Sequence, residues 1–276
     1  MLDLLIVGAG PAAMTAGLYA ARAGLSVKIY EKATFGGALS NIDHISNFPG
    51  FDGPGQKLAE TMHKQAENVG VQFEYGELQQ IIENPLTAII DGEEISAKTI
   101  LIATGSEPIP LDIETSTPVS YCASCDGPLY KDKNIIVLGS GNSAVQESLS
   151  LSKIVKNLTL ISKTELKAQQ ILVNQLKQVS NVSIQTNTTA TTEMLNQADG
   201  VFVFVGHRPA THFLPRKVLD KNGYIITDSR QMTTIPGLFA AGDARDNTVK
   251  QAVTASGDGA SAAIFIEKYI LGLPKT

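Results

Sequence analysis

The sequence predicts an α/β molecule built from two Rossmann-like dinucleotide-binding domains. Three observations predict it. A glycine-rich turn, Gly8-Ala9-Gly10-Pro11-Ala12-Ala13, separates an apolar run from a helical stretch. The same pattern returns as Gly139-Ser140-Gly141-Asn142-Ser143-Ala144. The length, 276 residues, suits roughly two domains of ordinary size.

The elements follow in order. Residues 4–7 are continuously apolar, as in a strand buried on both faces of a parallel sheet. A helical stretch runs from the glycine turn through Arg22, and Gly24 reads as its stop. Residues 26–30 alternate like a second strand, which ends at Glu31. Each part has a task in holding a dinucleotide. Gly8 permits the tight turn, Gly10 lets the backbone approach a pyrophosphate, and Ala13 is small enough for helix–sheet packing. The helix N-terminus offers N–H groups and a positive dipole end. Glu31 can accept hydrogen bonds from ribose hydroxyls. The bland alternative is a tight turn with no ligand.

In the second unit, residues 133–138 read as a strand, a helical stretch runs to about Lys153, and residues 157–161 form the next strand. Counted from Gly139 as Glu31 is from Gly8, the selecting position is Ser162, which is not acidic. NAD selection by a carboxylate is therefore disfavoured. An NADP site asks for an arginine fork on the 2′-phosphate. Here Ser162, Lys163, Thr164 and Lys167 offer two lysines and two hydroxyls. They either hold a phosphate or belong to a solvated face on a scaffold that has lost its nucleotide.

The two cysteines, Cys122 and Cys125, lie just before that unit's first strand and are followed by Asp126. Zinc needs about four ligands, and His44, His63, His207 and His212 are scattered away from ligand spacing, so no metal site is expected. An inert pair is the second reading. A redox dithiol at a helix N-terminus is the third and is preferred, because the dipole there favours a thiolate. Asp126 then serves as a proton shuttle or as an N-cap.

Composition narrows the classes further. Hydrophobic residues make up 43% and charged residues 18%, which excludes global disorder, and the net charge of −5 disfavours nucleic acid and anionic membranes as partners. No run approaches the roughly eighteen apolar residues of a membrane helix. The first ten residues lack a basic region and lead into the glycine turn, so no signal peptide is expected. A lone close pair of cysteines fits a reducing compartment better than a disulfide-stapled secreted domain.

The remaining stretches are connections and closing elements. Pro108, Pro110 and residues 114–118 read as an irregular link, and Gly206-His207-Arg208-Pro209 as the return. Residues 224–244 are expected to supply the last strands, and residues 248–271 a closing helix stopped by Gly272 and Pro274. His207 reads as a structural hinge residue rather than a base, and Arg208 as half of a surface salt bridge. Tyr121 reads as packing on a ring system or in the core.

Six motifs in this order resemble the low-molecular-weight, bacterial-type thioredoxin reductases: GAGPAAMTAGLYAARAG at residues 8–24, ATG at 103–105, CASCDG at 122–127, GSGNSA at 139–144, IPGLFAAGDA at 235–244 and KQAVTASGDGASAA at 250–263. The resemblance covers nearly the whole chain. It implies an FAD domain in two segments, 1–112 and 211–276, with a redox-disulfide and pyridine-nucleotide-like domain, 113–210, inserted between them. It implies FAD held by Gly8, Gly10, Pro11, Ala12, Ala13 and Glu31, then by Gly36, Gly37 and Asn47. Ala103, Thr104 and Gly105 belong to the same set, as do Gly242, Asp243, Lys250, Gln251, Ala252 and Val253. Residues 251–253 start a helix aimed at the isoalloxazine ring. The resemblance assigns Cys125 to the flavin side, Cys122 to attack on thioredoxin or a thioredoxin-like partner, and Asp126 to the proton. It also implies a cytoplasmic homodimer.

Departures from the family leave the electron donor open between NADPH and reduced ferredoxin. The arginine fork after the second unit's second strand is replaced by Ser162-Lys163-Thr164-Glu165-Leu166-Lys167, and residues 181–199 are shorter than the family's β-rich excursion. Two rival functions stand beside thioredoxin reduction: a flavin oxidoreductase for another disulfide, and a flavin-binding redox sensor without turnover.

Overall fold

The computed structural model describes residues 1–42, 44–246 and 249–272. Two expected landmarks, Thr248 at the start of the closing helix and Pro274 beyond it, lie outside these residues. The chain divides into two compact units, Met1–Ser106 with Pro209–Thr276, and Glu107–Arg208. The second unit is thus inserted into the first, and the crossings fall a few residues from the expected 112/113 and 210/211. They fall there because the two connecting strands, Ser106–Pro108 and His207–Pro209, pair as a small sheet of their own.

The first unit opens with β1 (Leu2–Val7), whose last four residues are buried, as double coverage requires. α1 (Pro11–Arg22) starts on a proline, whose fixed φ and missing N–H suit a first helical position. Gly24, at φ +85°, turns the chain out of the helix into β2 (Val27–Glu31). The hairpin β3 (Ile45–Phe48) and β4 (Phe51–Gly53) leads to α2 (Gly55–Glu67). Then come β5 (Gln72–Tyr75), β6 (Leu78–Ile82), β7 (Thr87–Ile90) and β8 (Glu93–Ile102).

β1, β2, β5 and the later half of β8 are parallel neighbours, whereas β6, β7 and the first residues of β8 form an antiparallel meander. β8 is therefore shared. Residues 93–96 pair with β7, and residues 97–102 pair with β1.

The second unit runs β9 (Ser106–Pro108), β10 (Val119–Ser120), α3 (Ala123–Asp126), β11 (Asn134–Leu138), α4 (Asn142–Leu151), β12 (Asn157–Ile161), α5 (Gln170–Lys177), β13 (Val182–Gln185), α6 (Thr192–Asn196) and β14 (Gly200–Val203). Its sheet has the order β10-β14-β11-β12-β13, and every pair in it is parallel. The short α6, capped by Thr191 Oγ1 on the Met194 N–H, is the crossover where residues 181–199 read as a shortened polar stretch.

The return strand β15 (His207–Pro209) leads back to the first unit. Residues 224–244 were expected to hold several strands. Among the described residues they hold one, β16 (Leu238–Ala240), together with isolated bridges such as Met232 to Phe239. Asp228 explains the shortfall: its carboxylate accepts from the N–H groups of Arg230 and Met232 and curls this stretch into a turn. β16 pairs in parallel with β8, and α7 (Ala252–Ile270) packs along α1.

Candidate active site

The first unit shapes a cradle at the carboxyl ends of its parallel strands. Gly8, at φ +98°, donates to Tyr30 O at 2.7 Å, and a Cβ there would lie 2.4 Å from Ala103 O. No larger residue fits so close to a neighbouring backbone. Gly10 is the N-cap of α1 and supplies no capping side chain; a Cβ there would meet nothing within 4 Å. The first turn of α1 thus faces open space with its dipole end. Gly36 N donates to Ala9 O at 2.8 Å, and a Cβ on Gly37 would sit 3.4 Å from Gly10 Cα. Gly36 and Gly37 are thereby brought against the Gly8–Ala13 turn, where Pro11, Ala12 and Ala13 begin α1.

Glu31 is fixed rather than loose. Its two carboxylate oxygens accept from Ala9 N at 2.8 Å and Ala33 N at 2.9 Å, leaving further lone pairs for a ligand. Ala103 and Thr104 continue the strand edge, with Thr104 Oγ1 donating to Ala210 O at 2.6 Å and Gly105 turning at φ +67°. A cleft here is lined by Gly8, Glu31, Gly76, Thr104, His212 and Phe213. Gly76, which the sequence motifs do not mark, belongs to it.

The far end of the cradle is polar. Gly242, at φ +73°, donates to Asp258 Oδ2 at 3.1 Å, and Arg245 Nη1 meets the same oxygen at 2.8 Å. Asp243 is half-buried and makes no hydrogen bond to a described residue. Burial raises its carboxyl above the ordinary value of 3.8; Lys250 opposes that rise and Asp258 adds to it. Lys250 Nζ donates to Tyr224 Oη and lies 4.2 Å over its ring. Gln251 is the N-cap of α7 and forms a capping box with Thr254, while its Oε1 accepts from Asn47 Nδ2 at 3.0 Å. Asn47, Gln251, Ala252 and Val253 therefore come together at the start of α7.

These residues fit a flavin dinucleotide. The first turn of α1 has no capping side chain, the glycines admit close backbone approach, and a half-buried carboxylate has no hydrogen-bond partner of its own among the described residues. The sequence motifs did not mark Asp258, Arg245 or Gly259 as site residues. A Cβ on Gly259 would fall 2.0 Å from Ala12 O, so α1 and α7 touch backbone to backbone there. The signal was present in the Gly-Asp-Gly at 257–259.

In the second unit Cys122 and Cys125 form a disulfide with Cα atoms 5.3 Å apart. Cys122 is the N-cap of α3, and its Sγ accepts from Cys125 N at 3.2 Å. A backbone N–H aimed at this sulfur favours its thiolate once the bond opens. Cys125 is exposed and Cys122 half-buried. Asp126 closes the short helix. It is also the N-cap residue of the 3-10 turn that follows, Gly127–Tyr130, though without a side-chain capping bond; its Oδ2 accepts instead from Ser120 Oγ at 2.7 Å. Ser120 is buried, and its oxygen also accepts from Cys122 N at 3.1 Å.

Tyr121 does not pack in the core. Its hydroxyl accepts from Leu111 N at 2.8 Å, which holds the ring at the surface. Arg208 pairs with Glu107 at 2.9 Å, the surface salt bridge expected of it.

The second glycine turn keeps its geometry. Gly139, at φ +149°, would bring a Cβ within 2.4 Å of Phe204 O, and Gly141 caps α4 facing open space. On the phosphate-selecting side the geometry leans towards the solvated face, the second of the two readings. Ser162 is buried and its hydroxyl donates to Thr164 O at 2.7 Å, while Thr164 Oγ1 donates to Glu165 O at 3.0 Å. Both hydroxyl protons are committed to the loop's own carbonyls. That leaves Lys163 and Lys167, both exposed, beside Glu165, whose carboxylate accepts from Asn187 Nδ2 at 2.6 Å. Among the described residues no group of three metal-ligating side chains occurs, and no helix is long and apolar enough to cross a membrane.

The model of the pyridine nucleotide-disulphide oxidoreductases matches residues 2–259. A thioredoxin reductase of Listeria innocua is 35% identical, over 97% of this chain and 93% of its own. The crystal structure of Lactococcus lactis thioredoxin reductase superposes with a TM-score of 0.91 at 31% identity, covering 99% of this chain and 100% of that one. The thioredoxin reductase of T. acidophilum gives a TM-score of 0.87 at 31% identity, over 97% and 98% of the two chains.

Proposed function

The chain belongs to the pyridine nucleotide-disulphide oxidoreductase family, of the low-molecular-weight thioredoxin reductase type, and on that premise we propose that it is an FAD-dependent dithiol/disulfide oxidoreductase reducing thioredoxin or a thioredoxin-like protein. The observation that carries the reading is the Cys122–Cys125 disulfide, with one sulfur facing a backbone N–H and the Asp126 carboxylate one residue beyond the other.

FAD takes the first cradle. Gly8, Gly10, Pro11, Ala12 and Ala13 receive the pyrophosphate, Glu31 the ribose, and Gly36, Gly37, Ala103, Thr104 and Gly105 the adjoining backbone edge. Asp243 with Gly242, Asn47, Lys250, Gln251, Ala252 and Val253 surround the flavin half. Bound there, FAD supplies the electron pair that opens the disulfide.

The rest is thiol chemistry. Two electrons and two protons convert the disulfide to a dithiol. The Cys122 thiolate attacks the partner's disulfide, forms a mixed disulfide and expels one partner thiolate. The Cys125 thiolate then attacks Cys122 Sγ, re-forms the internal bond and expels the second. The partner gains the two electrons and two protons that the dithiol loses, and Asp126 carries a proton in the exchange.

The donor is either NADPH or reduced ferredoxin, and one observation favours the second. The hydroxyls of Ser162 and Thr164 serve their own loop, so a 2′-phosphate finds only two exposed lysines beside a glutamate. The protein is a cytoplasmic homodimer in this reading. A reducing compartment suits the dithiol. The exposed Tyr19 of α1 and Ile264 of α7 supply apolar surface for a second copy.

Anaerobic mixing of the flavin-loaded protein tests the donor. Bleaching of the oxidised flavin band by photoreduced ferredoxin but by neither NADPH nor NADH is expected; rapid bleaching by NADPH overturns that choice. Cys122→Ser is expected to abolish turnover with a panel of thioredoxins while leaving flavin bound. Undiminished thioredoxin turnover in that variant, or turnover of the wild type on small disulfides alone, rejects the thioredoxin assignment.

A further inference from the structure

The Asp126 carboxylate accepts from a buried hydroxyl, and the same side chain also braces the redox pair. Ser120 ends β10, two residues before Cys122, and is 4% exposed. Its Oγ donates to Asp126 Oδ2 at 2.7 Å, accepts from Cys122 N at 3.1 Å, and lies 3.2 Å from Cys122 O. A hydroxyl carries one proton and two acceptor sites. With Asp126 ionised, that proton belongs on Oδ2, as a charge-assisted bond. With Asp126 protonated, the carboxyl proton can point back to Ser120 Oγ, and the hydroxyl proton can rotate to Cys122 O. Both protonation states then leave every group paired, and Cys122 keeps its backbone anchor in both.

We propose that Ser120 is a positioning residue for the dithiol chemistry, a hydroxyl rotor that holds Asp126 beside the redox cysteines and satisfies it in both of its protonation states. This rests on the reading of Asp126 as the proton carrier. The titratable groups around Asp126 are few. Its own element and cap carry Cys122 and Cys125. The 3-10 turn that follows (Gly127–Tyr130) carries Tyr130, and α4, which packs against α3, carries Glu147.

The test is the pH–rate profile of the reduced, flavin-loaded protein reacting anaerobically with a small aromatic disulfide, a step that needs no donor and no partner protein. The wild type is expected to show a limb from Asp126 that is absent in Asp126→Asn. In Ser120→Ala the ionised carboxylate loses its donor, so the limb moves to higher pH by about one unit, roughly a tenfold change in proton affinity. Ser120→Thr restores the wild-type profile.

A limb that vanishes in Asp126→Asn but stays in place in Ser120→Ala overturns the proposal and leaves the acid standing. A profile unmoved by Asp126→Asn removes the acid reading and the proposal with it. Should Ser120→Ala fail to fold, infrared difference spectra of wild type against Asp126→Asn decide the matter. A hydrogen-bonded carboxylate band supports the proposal, and a free one overturns it.

Discussion

Asp243 shows what a half-buried carboxylate costs a fold. Its carboxylate is half-buried without a hydrogen bond from a described residue, and burial lifts its titration above 3.8. The native state therefore holds that proton more tightly than the unfolded chain does. The stability of the flavin-free protein falls as pH rises through the interval above 3.8. Asp243→Asn removes the charge, so the flavin-free variant is expected to melt higher than wild type at pH 7. The gap should close as pH drops below the ordinary carboxyl value, and flavin affinity should weaken. Thermal scans at several pH values check this, and a variant that melts lower at neutral pH contradicts it.

At this scale the sequence was informative where chemistry needs a rare residue type. Cys122, Cys125 and the cradle glycines were legible because few other residues do their work. Ser120 and Asp258 were not, because serine and aspartate are common and their roles arise only when distant backbone is folded against them. The local bonds of Ser162 and Thr164 were hidden for a related reason: a composition cannot tell that their hydroxyls donate to their own loop.

Among the elements, the α1–α7 contact braces the proposed flavin cradle. Gly259 lets α7 meet the Ala12 carbonyl, and Gly242 leaves room for the Ala12 side chain at 3.0 Å from where its own Cβ would stand. Gly259→Ala places a methyl 2.0 Å from a backbone oxygen and must push the helices apart. A loss of about 1–3 kcal/mol in unfolding free energy is expected, as for other overpacked cores. Flavin affinity should fall with it, because Gly10 and Gln251 head the two helices that separate. Denaturant titration and flavin fluorescence measure both. The strands and helices around each glycine turn were readable from periodicity, since both faces of a parallel strand are buried. The antiparallel meander of β6, β7 and the start of β8 was not read. Its alternation is broken by bulged pairing between Leu78 and Gln80.

For the whole molecule, each unit has its own buried cores. One set gathers around Leu4, Ile6 and Leu101 and around Ile100 and Ile102. The other gathers around Val137, Leu160 and Phe202 and around Ile136 and Val203. Two calorimetric transitions are expected, and flavin should raise only the one belonging to the unit that holds Gly8 and Asp243. At a hundredfold excess over Kd the stabilisation is about 2.7 kcal/mol. Equal movement of both transitions contradicts the assignment of the cradle to one unit.

β8 adds a temporal dimension. Its inner half waits for β16, paired through Leu238 and Ile100, and α1 waits for α7. A ribosome delivers both partners only after all of residues 107–208 have emerged. The inserted unit, complete in itself, can condense first. The first unit stays open until β16 and α7 have emerged, so the proposed flavin cradle is completed after the inserted unit, from two halves made at different times.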